Sequence, residues 1–110
     1  MLATATVSDG IQNLVRAHEG DAEALSTIEA RINAAGYAAG FAGDLDRAKA
    51  LLELNTVQFP GSANTWDSLA EITLYLGDSE RAIELYEKAL EVDPGFTNAA
   101  EQIEAILSGQ

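Results

Sequence analysis

The chain has 110 residues and a formal net charge of -12, from 18 acidic side chains against six basic ones. That charge repels phosphate backbones and anionic lipid, which argues against nucleic acid and membrane surfaces as partners. Hydrophobic residues make up 47% of the chain, Ala and Leu dominate them, and there are two Pro and no Cys, a mixture that favours packed helices over disorder or strands and excludes disulfides, thiolate chemistry and zinc ribbons.

One domain with a modest core fits this length, burying roughly 65% of the unfolded surface. Residues 1–10 lack the basic and apolar regions of a secretory signal. No stretch approaches the ~18 apolar residues of a membrane span. The acidity reads first as solvation and second as complementarity to a cationic protein or peptide.

In chain order, residues 1–8 are expected to be frayed. Ile11, Leu14 and Val15 form a short apolar stripe that predicts a helix over 9–18, with Asp9-x-x-Gln12 as its cap. Gly20 and Asp21 interrupt the stripe before Ala22–Leu25, so 9–25 reads as an N-terminal helical region. Ser26 and Glu29 have the spacing of a capping box, which starts a helix near Thr27. It runs through Ile28, Ile32, Ala35 and Ala39 to Phe41 and stops at Gly43. Asp44 caps a second helix reaching about Phe59, with Leu45, Ala48, Leu51, Leu52 and Val57 inward. Ser62 caps a third, carrying Trp66, Leu69, Ala70, Thr73 and Leu76. Asp78 caps a fourth, carrying Ala82, Ile83, Leu85, Tyr86, Ala89 and Leu90, and Pro94-Gly95 ends it. Thr97 caps a last helix over 97–107, with Ala100, Ile103, Ala105, Ile106 and Leu107 set against Glu101, Gln102 and Glu104.

The chain repeats itself. Gly43-Asp44 matches Gly77-Asp78, Arg47-Ala48 matches Arg81-Ala82, Leu51 matches Leu85, Glu53 matches Glu87 and Pro60-Gly61 matches Pro94-Gly95. All pairs share one offset of about 34 residues, and they fall on the turn and on the closing Pro of each unit. Residues 63–96 carry Trp66, Leu69, Ala70, Gly77, Ala82, Tyr86, Ala89 and Pro94 at the spacing of the tetratricopeptide repeat, which they resemble, with Thr73 departing where Tyr is usual. Residues 29–62 keep Gly36, Gly43, Ala48 and Pro60 in the same register, with Ile32, Ala35 and Ala39 at degenerate positions and Asn55 in place of a small Ala.

The resemblance implies an all-α solenoid of antiparallel helix pairs, about six helices in all. Within a single domain over 9–110, it places repeat 1 at 29–62, repeat 2 at 63–96 and a polar-faced capping helix at 97–107. Small residues let helix axes approach while Trp66, Leu69 and Tyr86 fill the gaps, so Trp66→Ala is expected to cost roughly 3–5 kcal/mol. Two full repeats lie near the minimum for independent stability. This leaves self-association, as a homodimer, or docking on a further domain of a longer protein.

The same resemblance places a peptide-binding groove on the first helix of each pair. Carried over position by position, it comprises Asn33, Tyr37 and Phe41, then Asn64, Asp67, Glu71, Leu74 and Tyr75, then Asn98 and Glu101. Asn can bond an extended backbone and Tyr offers flat contact area. A clamp for a C-terminal carboxylate needs Lys and Arg there, whereas Asp67, Glu71 and Glu101 make a basic peptide the better fit. The bland alternative is a solvated helix face with no ligand.

A narrower likeness lies in Glu53-Leu54-Asn55, Phe59-Pro60 and Ser62 through Glu71, with Ile32-Asn33 and Gly36-Tyr37 before them. These are similar to the short tetratricopeptide segment at the C-terminus of bacterial serine hydrolases of the β-lactamase-like and esterase kinds. It implies an accessory module that stabilises or oligomerises an upstream enzyme, and an extracytoplasmic parent.

Catalytic, cofactor and metal sites find no support in the residues. His18 is the single histidine and reads as a surface imidazole. Ser62, Ser68 and Ser79 have no base nearby and read as caps or packing. Gly36, Gly40 and Gly43 have helical spacing, which points to close packing and a turn and not to a phosphate cradle. The expectation is a non-catalytic protein-interaction scaffold.

Overall fold

The computed structural model describes residues 4–109. Among these the order is α1 (Thr4–Ala17), α2 (Ala22–Phe41), α3 (Leu45–Gln58), α4 (Ala63–Tyr75), α5 (Ser79–Val92) and α6 (Thr97–Leu107). The helices α2 with α3 and α4 with α5 form the two tightest pairs. Contacts of α3 with α4 and of α5 with α6 join them in sequence, and α2 also touches α4. The molecule measures 44 × 32 × 17 Å. The short dimension accommodates two helix layers at an axial separation of about 8–10 Å. This is an all-α, tetratricopeptide-like helical repeat.

The pairs close where small residues meet large ones. Ala48, Ala70, Ala82 and Ala89 have no exposed surface, and Leu52, Leu69, Leu85 and Tyr86 are buried beside them. A Cβ built on Gly36 would lie 2.7 Å from Leu52 Cδ2 and 2.8 Å from its Cγ, so α2 and α3 pack backbone to side chain there. Gly43 and Gly77 end the first helix of each pair at φ +88° and +93°. Residues with a Cβ disfavour that region, and it lets the next Asp enter its cap. Asp44 then accepts from the Arg47 amide at 3.1 Å and Asp78 from the Arg81 amide at 3.0 Å, in register with the repeat.

The N-terminal half departs from the sequence-based expectation. Of the segment 1–8 expected to be frayed, residues 1–3 lie outside the described residues, and α1 already runs from Thr4. Its stripe begins one turn earlier than expected, because Val7 precedes Ile11 by four positions and shares a small recess with Ala50, Leu51 and Leu54 of α3. The break expected at Gly20 and Asp21 is present, with α1 ending at Ala17, but 22–25 form the first turn of α2 and not the end of an N-terminal region. That helix starts at Ala22, not near Thr27, since the Asp21 side chain accepts from the Ala24 amide at 3.1 Å and caps it five residues before Ser26. The Ser26–Glu29 pair is therefore mid-helix.

Several inward assignments also turn outward. Val57, Leu76, Ala100 and Leu107 are exposed, while Gly36 and Ala99 are buried in their helices. The repeat sets which narrow stripe faces a neighbour, and a residue one position off that stripe faces solvent whatever its hydropathy. Two expected caps differ. Phe96 occupies the N-cap of α6 without a side-chain bond, and the Thr97 hydroxyl donates to the Gly95 carbonyl at 3.3 Å. Ser62 sits at the N-cap of α4, but its hydroxyl donates elsewhere.

Candidate interaction face

The first helices of the pairs, α2 and α4, together with α6 carry the candidate groove residues on one face. On α2, Asn33, Tyr37 and Phe41 follow each other at intervals of four, one above the next. On α4 the same spacing links Asp67, Glu71 and Tyr75, and on α6 Asn98 precedes Glu101 by three. Two side-chain bonds tie these rows together. The Tyr37 hydroxyl donates to the Glu71 carboxylate. Asn98 Nδ2 donates to Asp67 at 2.9 Å to Oδ1 and 3.1 Å to Oδ2.

The environments divide the expected site residues into two sets. Asp67 is buried, and Tyr37, Glu71 and Asn33 are half-buried. Phe41 and Tyr75 are 89% and 69% exposed, and Asn64, Asn98 and Glu101 are also exposed. Burial, the bond to Glu71 and the nearby carboxylates push the Tyr37 phenol up to about 12, so it stays a neutral donor. Burial also raises the Asp67 carboxyl above its ordinary value; the Asn98 amide opposes this and the Glu71 charge adds to it. Tyr86, beneath α4 and 1% exposed, is pushed up mainly by burial and then by Asp67 and Glu71. Asp67 is thus held over an apolar floor where water screens it poorly. Asn33 Oδ1 is buried without a hydrogen-bond partner.

A recess of about 370 Å³ opens at one end of this face, between the last turns of α2 and α4. It is lined by Tyr37, Phe41, Leu45, Glu71, Ile72 and Tyr75. A larger one of about 490 Å³ lies between α1 and α2, around Ile11, Leu14, Ile28 and Ile32, with His18 and Arg31 at its margin. His18 Nδ1 donates to the Leu14 carbonyl at 2.9 Å, which closes the last turn of α1. Neither recess is legible in the sequence, because each depends on how far apart two helices pack, which residue spacing does not set.

Residues singled out in the run 53–71 have structural work at the junction between the pairs. Asn55 is fully buried and its Nδ2 donates to the Glu29 carbonyl at 3.1 Å. The Ser62 hydroxyl donates to Glu29 Oε2 at 2.7 Å. Thr65 Oγ1 donates to the Ser62 carbonyl at 2.8 Å, and Trp66 Nε1 to the Pro60 carbonyl at 2.9 Å. Trp66 is half-buried, with Lys88 Nζ 5.7 Å from its ring centroid, and so is less of a core residue than the repeat pattern implies. Thr73 replaces the usual Tyr by turning its hydroxyl onto the Leu69 carbonyl at 2.7 Å. Ser68 is buried, and Ser79 opens α5 beside its Asp78 cap.

No described helix is long and apolar enough to cross a membrane. Among curated proteins no match to this chain is found. Residues 63–96, which comprise α4, α5 and their connections, match the family described as the tetratricopeptide repeat, a protein-interaction module.

Proposed function

We propose that the chain is a non-catalytic interaction scaffold that holds an extended cationic peptide segment on the face made by α2, α4 and α6. The observation that supports this most is the one-sided chemistry of that face. It presents Glu71 and Glu101 beside Tyr37, Phe41 and Tyr75, with the buried Asp67 between them, and none of the six basic residues. Those lie elsewhere: Arg16 on α1, Arg31 beside the α1 recess, Arg47 and Lys49 on α3, Arg81 and Lys88 on α5. Complementary charge steers encounter and sets register, while aromatic area supplies contact.

Because Asp67 is buried and bonded to Asn98, a Lys there would disturb the fold along with the charge, so the test uses more exposed positions. Titration calorimetry with a Lys- and Arg-rich peptide of about ten residues is expected to show binding that weakens with salt. Combining Glu71→Gln with Glu101→Lys is expected to weaken it by about tenfold or more. Equal affinity in the double variant, or amide shifts confined to α3 and α5, would sink the reading.

Docking on a hydrolase domain of the same polypeptide is the second reading. It draws on Leu14 and Leu107, large apolar side chains exposed near opposite ends of the helix array. A Ser-x-x-Lys or Gly-x-Ser-x-Gly motif in the reading frame upstream of Met1 would favour it. Light scattering separates both readings from self-association through the same ends.

A further inference from the structure

We propose that the recess between the last turns of α2 and α4 is a receptor for one cationic side chain, an arginine of the bound partner. This rests on the α2–α4–α6 face being the binding face, and assigns one pocket of it to one chemistry.

Three observations converge there. The walls are aromatic: Tyr37 and Phe41 have ring centroids 6.5 Å apart at an interplanar angle of 35°, and Tyr75 stands across from them on α4. The ring faces carry the negative part of the quadrupole and attract a cation within about 6 Å. Two of these rings, Phe41 and Tyr75, are largely exposed, although Ile72 beside them in the recess is buried. That is the arrangement of a contact surface awaiting a partner.

The second observation is the carboxylate. Glu71 lines the recess and accepts the Tyr37 hydroxyl through one oxygen, Oε1. A carboxylate has acceptor positions for more than one donor, and a guanidinium can bond it while stacking on the rings. The third is the backbone. The recess lies where α2 and α4 both end, and neither has a basic residue in its last turn. Backbone amides from Ala42 to Asp44 and from Leu76 to Asp78 bond the last carbonyls, but no cationic side chain of those turns offsets the partial negative charge at either C-terminus. The volume of about 370 Å³ accommodates a planar guanidinium and the stem that carries it. Arginine fits better than lysine because its flat, weakly hydrated head stacks on rings, whereas an ammonium keeps its water.

The test is an NMR titration of the whole chain with a blocked Gly-Ser-Arg-Ser-Gly peptide, and with the same peptide carrying citrulline, the neutral isostere of arginine. The arginine peptide is expected to give saturable shifts at Gly40, Phe41, Ile72 and Tyr75, with an affinity at least about fivefold above that of the citrulline peptide. Combining Phe41→Ala with Tyr75→Ala is expected to abolish the difference. Both side chains are exposed, so the variant folds, and its helical circular dichroism checks that. Equal affinity for the two peptides, or shifts that avoid this recess, overturns the assignment. A longer basic peptide that shifts Asp67, Asn98 and Glu101 while leaving Phe41 and Tyr75 unmoved overturns the arginine pocket alone. Absence of shifts on all three helices with every peptide overturns both the pocket and the binding face.

Discussion

The hydroxyl of Tyr37 is bonded to the carboxylate of Glu71, the residue that holds the same place in the next repeat 34 positions on. The period of the sequence thus becomes a contact in space, with successive units stacked so that equivalent positions touch. The bond joins α2 to α4 directly and holds a donor neutral beside a charged acceptor.

Removing it should weaken the junction between units. Tyr37→Phe is expected to cost about 1.5–3 kcal/mol in urea unfolding, the net worth of a hydrogen bond to a charged group. The alkaline limb should change too. The phenol is raised in the folded chain from 10.0 to about 12. The unfolded chain releases this proton first, so the stabilisation is complete below pH 10 and is lost as the pH rises towards 12. Tyr86 is raised as well and keeps part of that loss. The expected result is a melting temperature that falls less steeply between pH 10 and 12 in Tyr37→Phe than in the native chain.

Asp67 acts in the opposite part of the pH scale. Its carboxyl is raised in the folded state, chiefly by burial, so the native chain binds that proton more tightly than the unfolded chain. Ionisation therefore lowers stability as pH rises above the ordinary aspartate value. Asp67→Asn keeps an acceptor for Asn98 and removes the charge. It is expected to raise the melting temperature at pH 7, with the gain shrinking towards pH 3, measured by circular dichroism.

The contact of Gly36 with Leu52 tests the close packing inside the first pair. An added methyl meets the Leu52 side chain at under 3 Å. Overpacking costs about 1–3 kcal/mol, against about 1 kcal/mol regained from helix propensity. Gly36→Ala is thus expected to destabilise by up to about 2 kcal/mol. Leu52→Ala removes a fully buried side chain and should cost about 2–5 kcal/mol. Combined, they should cost less than their sum by about 1 kcal/mol or more in a double-mutant cycle, since each relieves the other.

Trp66→Ala should cost less than the repeat pattern implies, and less than Tyr86→Ala. Tyr86 is 1% exposed in the core, while Trp66 is half-buried over Pro60 and Lys88. Tyr86→Ala is expected to cost about 3–5 kcal/mol and Trp66→Ala about 1–3 kcal/mol. Chemical denaturation of the two variants checks the order.

Much of the fold was legible because its signals are local. Asp44 and Asp78 cap as expected since each needs only the amide three residues on. Gly43 and Gly77 end helices because the backbone there turns left-handed. Where a competing local signal existed, spacing alone misled. Ser26 and Glu29 have the capping-box form, but Asp21 caps α2 first and Glu29 is drawn across the junction to Ser62. Asn55, an apparent flaw in the repeat, is explained by the Glu29 carbonyl, 26 residues earlier.

The sequence by itself determined the helical class, the 34-residue register, the turn glycines and the sign of the charge, because these follow from backbone conformation and composition. It also placed Asn33, Tyr37, Phe41, Asn64, Asp67, Glu71, Tyr75, Asn98 and Glu101 on equivalent helix positions. Only the tertiary structure decided which of these are buried, which bond one another and which stand free around a recess. Those properties depend on the distance between helices that the chain order does not fix. The separation of α2 from α4 turns Tyr37 and Glu71 into a bonded pair, and leaves Phe41 and Tyr75 facing open space.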